Sequence, residues 1–511
     1  MKKTLILICA AALALMGCQK QLAPEQVSEP ASSTAIEAYA LPSASTKAVY
    51  EENAGGALAG KWEVDDVIFG LNGSTPFEFK VTAVDAEGKA TLVQTTEVAF
   101  AAGDVLQAAF CPGKKAADLS ARSFALDLSE QAADVVPVLL LSKATVAEGP
   151  SVSFAFTNAT SVVALKAPVF PAAFSEGKAI KNVTLSGHEI VSSGVVSVVG
   201  DEFVFTPDAP CNFIRKNVSL AAVDVDGTSY KIDEPVYIVI PAAGKISKIS
   251  ALDNKNGFFT YDLSASAVGT AAPEASKYYT LSGKTFTKVN LPESTITVDG
   301  VVWSRWNFGG EEKVNDMGGL YRWADIETIC TDNSSTTLVM DANHADGFVP
   351  YLNEIYCVDI LANSKKGAYS KYNEVGEYLD PIDDVVQLTY PGSGWRIPKL
   401  EEFQALATLK DNEDYTVELN PGAFVGIKYT NNLTGEVMTL RGNQNISTGG
   451  TTAQKNRGQY WTSNSTNDSA KGYAAQYFQV VVSSGKVTGA FKNSIATRYL
   501  GLSIRPVKTA E

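Results

Sequence analysis

The 511-residue sequence predicts a mainly β chain, with antiparallel sandwiches along its first half and an α+β module along its last part. Two observations predict the sandwiches. From Lys47 to about Thr270, short alternating apolar runs recur, among them "TLVQTTEVAF", "VSFAFTN", "SVVALKA", "NVTLSGHEIV", "EFVFTP" and "VYIVIPA". Gly, Asp, Asn and Pro turn signals separate them at intervals of about ten residues, the spacing of antiparallel sandwiches, and helical periodicity is nearly absent. A third observation sets the last part aside: Trp303, Trp306, Trp323, Trp395 and Trp461, five of the six tryptophans, lie between residues 303 and 461. One aromatic-rich domain accounts for them.

The elements follow in chain order. Residues 1–17 place Lys2 and Lys3 ahead of an apolar run from Leu5 to Met16, too short for an ordinary span, and read as a secretory signal. Leu15-Met16-Gly17-Cys18 resembles a bacterial lipobox, which makes Cys18 the acylated (palmitate-bearing) N-terminus of a lipoprotein anchored in the outer membrane. Residues 18–46 are rich in Ser, Ala, Pro and Glu and read as a tether that buries too little apolar surface to pack. Residues 47–148 and 149–263 are expected to form two sandwiches, and 264–285, which opens with the low-complexity "SASAVGTAAPEAS", a linker. Residues 286–511 form the aromatic-rich module. Its one convincing helix runs from Leu400 to Leu409, where Leu400, Phe403, Leu406 and Leu409 fall near one face behind Pro398.

Composition excludes some functions. Acidic residues outnumber basic ones, 56 against 42, and no Lys/Arg block occurs beyond the N-terminus, so nucleic acid is not a partner. Cys9 leaves with the signal, which leaves Cys111, Cys211, Cys330 and Cys357. An exported chain offers Cys330 and Cys357 as a possible disulfide, but four cysteines admit three pairings and buried free thiols fit equally well. The sole imidazoles are His188, in a turn between strands, and His344, in "MDANHADGF". The latter run breaks the EF-hand alternation by one residue and lacks a terminal Glu, so it reads as a polar Asx-turn loop. Glu401-Glu402 and Asp65-Asp66 are adjacent in sequence and read as solvated charge, not a glycosidase pair. The expectation is a non-enzyme with neither metal nor cofactor.

The C-terminal part carries "VDGVVWSRWNFGG", "MGGLYRWAD", "GSGWRIPKLEEF", "GQYWTSN" and "LGLSIRPV" in that order. Over about residues 286–509 this resembles the Fibrobacter succinogenes major paralogous domain, whose fold is like those of C-type lectins and the formylglycine-generating proteins. The oxidase members of that group need a late cysteine pair, absent here after Cys357, and the sugar-site tripeptides of true C-type lectins are also absent. Thr usually opens the family's helix as a cap paired with Glu; Lys399 stands there here. The capping box with Glu402 is expected to be lost, at about 1 kcal/mol. The N-terminal part resembles the fimbrillin-like lipoproteins of Bacteroidales through its lipobox, "STKAVY", "KWEVDDVIFGL", "VSFAFTNATSVVALKA" and "VYIVIPA". Together these imply two transthyretin-like β-sandwich domains followed by an α+β C-type-lectin-like domain.

Within "GSGWRIP", Trp395 and Ile397 read as core, and Arg396 as the partner of buried carbonyls or a carboxylate. Arg505 in "SIRPV" has the same reading, and Trp461 is a further structural residue. Ligand binding is expected on loops: the polar run Asn464, Thr466, Asn467 and Asp468, and the loop through Asn493 and Arg498, offer the amides, carboxylate and guanidinium that bind glycans. Asp468-Ser469-Ala470 equally matches the O-glycosylation acceptor of Bacteroidales. The resemblance implies a fimbrial adhesion protein of the cell surface, of tip or accessory kind, matured after Lys47 and joined to other fimbrial subunits by strand addition, with a glycan or surface receptor as its further partner. The alternative is an outer-membrane-tethered glycan-binding lipoprotein of polysaccharide uptake, in which Lys47 stays uncut.

Overall fold

The computed structural model describes residues 37–40, 49–52, 58–149, 151–171, 174, 179–208, 211–241, 244–310, 318–321, 323–324, 328–330, 376–442, 445–446, 453–454, 458–466, 474–497 and 501–510. These residues are mainly β, arranged in several sheets.

The chain enters the first sheet at β1 (Glu37–Ala40) and continues through β2 (Val67–Asn72), β3 (Thr75–Val84), β4 (Ala90–Gln94) and β5 (Val105–Phe110). In β3 the alternation is direct: Phe77, Phe79 and Val81 point inward and are fully buried, as period two requires. Gly70 in β2 is obligatory, because a Cβ there would lie 1.9 Å from the Gln107 carbonyl oxygen on β5. Two short strands then leave this sheet, β6 (Ser123–Asp127) and β7 (Glu130–Gln131). β8 (Leu140–Thr145), β9 (Ser151–Phe154) and β10 (Thr157–Asn158) return to it. The strand order is β9-β1-β4-β3-β2-β5-β8-β10. Its two end strands, β9 and β10, are separated by Ala155 and Phe156 alone, so the sheet curls back on itself around a phenylalanine-rich core. Trp62 packs edge-on against Phe110 and Phe156 there, at centroid distances of 5.2 and 5.3 Å.

The second module contains β11 (Thr160–Lys166), β12 (Ala179–Ile190), β13 (Ser193–Val199), β14 (Glu202–Pro207), β15 (Cys211–Ala221), β16 (Val236–Pro241), β17 (Lys248–Asp253) and β18 (Phe258–Asp262). It also takes in α1 (Ala267–Thr270), β19 (Tyr278–Ser282) and β20 (Thr287–Val289). Its sheets include the orders β16-β11-β19, β20-β18-β17-β12-β15-β7 and β14-β13-β6.

Four sequence expectations are corrected here. The tether of 18–46 ends inside the fold, since β1 belongs to the first sheet. The boundary at 148/149 does not separate two bodies, because β9 and β10 lie in the first sheet while β6 and β7 pair with β13 and β15 of the second module. Side chains tighten this interlock. The buried Gln131 amide donates to Val239 O at 2.6 Å and accepts from Val239 N at 3.0 Å, while Lys216 Nζ donates to Val135 O and to Ala132 O. Burial pulls the Lys216 ammonium down to about 8.

Residues 264–285 are not a linker either. Ser266 caps α1 by accepting from Gly269 N, Val268 is buried, β19 pairs parallel with β11, and Leu281 and Phe286 enter the second core. Small residues hid this segment, which is held mainly by backbone pairing. His188 lies within β12, at a register shift between Ser186 and Ile190, rather than in a turn.

The C-terminal module holds β21 (Ser294–Val298), β22 (Val301–Ser304), α2 (Val385–Thr389), α3 (Leu400–Thr408), β23 (Tyr415–Leu419), β24 (Gly426–Asn431), β25 (Val437–Arg441), β26 (Gly458–Thr466), β27 (Ala474–Ser483), β28 (Lys486–Thr497) and β29 (Val507–Thr509). β26 divides two cores. Tyr460 faces a cluster with Trp303, Phe403 and Phe478, and Trp461 faces one with Trp323, Trp395 and Ile504. Phe403, from the apolar face of α3, stacks on Phe478 at 4.7 Å and meets Trp303 edge-on at 4.9 Å. Among the described residues no helix is long and apolar enough to cross a membrane.

Candidate functional site

Two places gather the polar and backbone groups that bear on function: the berth of β1 in the first sheet, and the spine of the C-terminal module.

β1 lies between strands that are not otherwise paired with each other. It runs parallel to β9, from Glu37 opposite Ser151 to Ala40 opposite Phe154, and antiparallel to β4, with Ala38 opposite Leu92. Its hold on the body is mostly main chain. Ala38, 1% exposed, enters the core, while Tyr39 faces outward under Lys89, whose Nζ stands 3.7 Å from the ring centroid. Lys47, the expected cleavage residue, comes seven positions after Ala40 in sequence and lies outside the described residues, as does the lipidation residue Cys18. Loss of β1 would leave the facing edges of β9 and β4 without their shared partner.

In the spine, Trp395 and Ile397 are buried in the core beside Trp461. Arg396 meets a carboxylate: Nη1 donates to Glu402 Oε2 at 2.9 Å and Nη2 donates to Oε1, while Nη1 also reaches Ile397 O at 3.2 Å. The Arg396 backbone N–H donates to Val507 O at 2.9 Å, tying the loop to the last strand. Arg505 is buried and serves carbonyls, donating to Thr439 O at 2.7 Å, Ser304 O at 3.2 Å and Arg305 O. Trp461 Nε1 donates to Tyr321 O at 2.7 Å.

The helix start differs from expectation. Lys399 has no side-chain acceptor to offer, yet half of the capping box survives, because Glu402 Oε2 accepts from Lys399 N at 2.6 Å. Asn464 supplies the rest from another strand, its Oδ1 accepting from Leu400 N at 2.8 Å.

The expected ligand loop is therefore partly a strand. Asn464 and Thr466 belong to β26 and are 6% and 5% exposed, which corrects their placement on a loop; the Asn464 amide oxygen is engaged by the helix. Asn467, Asp468 and Arg498 lie outside the described residues. Asn493 is described only as backbone, in β28, and Cys330 likewise in the short strand Thr328–Cys330, while Cys357 lies outside. His344 and its loop also lie outside. Cys111 is a buried free thiol, pushed up to about 12 by burial.

Asp383 and Asp384, not singled out in the sequence, organise the spine from below. Asp384 caps α2 by accepting from Val386 N at 2.9 Å and Gln387 N at 3.1 Å, and it accepts from Ile397 N at 2.9 Å. Burial raises its carboxyl, against those bonds. Burial, with Asp384 beside it, pushes Asp383 up to about 7. The signal for this was present in "DPIDDVVQL", an acidic N-cap before an apolar run. Chemically, the spine's cations, carboxylates and amides hold backbone in place. Among the described residues no group of three or more His, Cys, Asp or Glu side chains is placed to hold a metal ion.

The molecule so defined is a mainly β, multi-sheet protein with an internal strand berth near its N-terminus. No family model matches the sequence, and no curated protein matches it. Among solved structures it is similar to a protein assigned to cell adhesion from Bacteroides ovatus, at 15% identity and a TM-score of 0.32, over 50% of this chain and 96% of that one. It is similar to a fimbrial protein from Bacteroides ovatus at 10% identity and a TM-score of 0.26, over 93% of this chain and 99% of that one. The fimbrial anchor protein Mfa2 from Porphyromonas gingivalis matches at 8% identity and a TM-score of 0.25, over 50% of this chain and 95% of Mfa2.

Proposed function

We propose that this chain is a cell-surface adhesion protein, a tip or accessory fimbrial subunit that receives a strand from a neighbouring subunit in the berth of β1. In this reading the two N-terminal modules are fimbrillin-like, of transthyretin type, and the C-terminal module is C-type-lectin-like and faces outward. The chain is exported, acylated at Cys18 in the outer membrane, cut after Lys47, and acts as a binder rather than an enzyme. Its further partner is a glycan or surface receptor met by the region of Asn467, Asp468, Asn493 and Arg498.

The observation that carries the reading is the order of β1 and Lys47. Everything from Cys18 to β1 lies on the far side of the cleavage residue from the body, and β1 is paired on both edges inside the first sheet. Its removal exchanges main-chain hydrogen bonds for those of an incoming strand, one for one. Side chains then decide the direction. Ala38 buries a single methyl, about 0.8 kcal/mol, whereas a Val, Leu or Ile in its place is worth roughly 1.5 to 3 kcal/mol. At the other end, β19 and β20 are paired within the second module and the chain runs on into the C-terminal module, which supports a subunit that receives a strand and passes none onward.

The test is the N-terminal sequence and intact mass of the native protein from sheared surface material and from detergent-extracted membrane. A chain beginning at Ala48 in the sheared fraction is the expected result. A chain confined to membrane and still carrying acylated Cys18 would overturn assembly by strand exchange and favour a permanently tethered glycan-binding lipoprotein.

A further inference from the structure

The sheet β20-β18-β17-β12-β15-β7 has one apolar face and one polar face. Val183, Leu185, Ile214, Ile249 and Ala251 point into the second core, so alternation turns Thr184, Arg215 and Ser250 outward. Register places those three in one row across adjacent strands, with Thr184 opposite Arg215 on one side and opposite Ser250 on the other. On a lone sandwich such a row faces water. Here Thr184 is 0% and Ser250 1% exposed.

The cover is a turn of the C-terminal module, Tyr390-Pro391-Gly392, which joins α2 to the Trp395 spine. Pro391 O accepts from Ser250 Oγ at 3.2 Å. The Tyr390 ring meets Phe258 of β18 edge-on at 6.2 Å and Phe308 of its own module at 5.9 Å. Gly392 has φ +79°, and a Cβ on it would stand 2.4 Å from Thr184 Oγ1 and 3.4 Å from Arg215 Nε. Glycine is therefore required twice over, by the backbone conformation and by the closeness of the approach.

The seat is poorly compensated. Thr184 Oγ1 and Arg215 Nε have no hydrogen-bond partner among the described residues, although Arg215 Nη1 pairs with Glu130 Oε1 at 2.8 Å, so the turn covers two polar atoms to which the protein offers no bond. Across the seat itself run one long hydrogen bond and one edge-on ring contact, with the Pro381–Asp383 turn lying beside β15. Interfaces between modules of one chain that are small and polar open readily, unlike a packed core.

We infer that the Tyr390-Pro391-Gly392 turn is a releasable dock: the C-terminal module exchanges between a seated state on the Arg215–Thr184–Ser250 row and an unseated state in which that row is hydrated. The segment from Val289 to Ser294 keeps the module tethered while it is unseated. The dock fixes the orientation of the outer module in the seated state and frees it in the other. The inference rests on the seat alone and stands whether or not strand exchange occurs at β1.

Maleimide labelling of the full-length chain carrying Ser250→Cys, mapped by mass spectrometry, tests this. Each thiol's rate is divided by its own rate in the urea-unfolded chain, and the buried Cys111 of the first core is the internal reference. Release exposes position 250 without unfolding anything, so Cys at 250 is expected to label at least about 100-fold faster than Cys111 on that scale. Adding Gly392→Val or Tyr390→Ala is expected to raise the rate at 250 by a further 10-fold or so and leave Cys111 unchanged. Thr184→Cys repeats the measurement with the Ser250–Pro391 bond intact. Labelling at 250 and 184 no faster than at Cys111 would overturn the dock as a releasable one. A rate at 250 indifferent to both substitutions would overturn the turn as its latch.

Discussion

The side-chain oxygen of Asn464 accepts the backbone N–H of Leu400 at 2.8 Å, so the first turn of α3 is closed by a residue 64 positions along the chain. The bond does the work of an N-cap that Lys399 cannot do. Asn464→Ala therefore loses a cap and leaves a buried amide donor without its acceptor, a cost of about 1 to 2 kcal/mol. Urea denaturation followed by tryptophan fluorescence reads this, since five of the six tryptophans lie in the C-terminal module. A midpoint equal to the parent's would show that the helix start is held by Glu402 alone.

Arg396 and Glu402 form a two-point pair with side chains 23% and 9% exposed, and Glu402 also accepts from Lys399 N. Removing one partner strands the other in a poorly solvated place. Glu402→Ala is expected to cost roughly 3 kcal/mol or more, whereas the double change Arg396→Met, Glu402→Met, which removes both charges and keeps the volume, costs less than the two single changes together. Additive losses in a double-mutant cycle would show that the pair is not coupled.

Alternation and turn spacing made the β class and the helix at Leu400 legible, because those signals report which face of an element is buried. They do not report which sheet a strand joins. That is why β6 and β7 were assigned to the first body, and β9 and β10 to the second. β26 shows a different limit. All nine residues of "GQYWTSNST" are buried, Tyr460 toward one core and Trp461 toward the other, so polar residues such as Asn464 read as loop when they in fact face covered surface. The segment at 264–285 reads as a linker because its opening is small and polar and its hold is largely backbone pairing with β11, with Val268 and Leu281 reaching the core at isolated positions.

Asp383 makes stability depend on pH. Its carboxyl is raised from an ordinary 3.8 to about 7, first by burial and then by Asp384. The folded state therefore keeps a proton that the unfolded state gives up. Stability from this group is fully present below the ordinary value and is lost as pH rises through about 7, with a limiting slope of about 1.4 kcal/mol per pH unit between the two values. Asp383→Asn removes the titration. Urea midpoints at a series of pH values are expected to fall from pH 5 to pH 7.5 in the parent and to fall less in the variant. Parallel curves would place the dependence on another group.

Ala38 enters the first core from β1, a strand paired on both edges with β9 and β4. A carboxylate there must either take up a proton and become neutral in an apolar site or leave the sheet. With one four-residue strand at stake, leaving is the cheaper course. Ala38→Asp is thus expected to free the segment ahead of Val49 and to speed limited trypsin cleavage at Lys47 by about 10-fold or more, while the thermal unfolding of the trimmed body is unchanged. Ala38→Val is expected to do the reverse, since it buries more apolar surface in the same register. N-terminal sequencing of the digestion time course reads both. Equal cleavage rates in parent, Asp and Val variants would mean that the seating of β1 does not govern access to Lys47, and strand exchange at this berth would lose its physical basis.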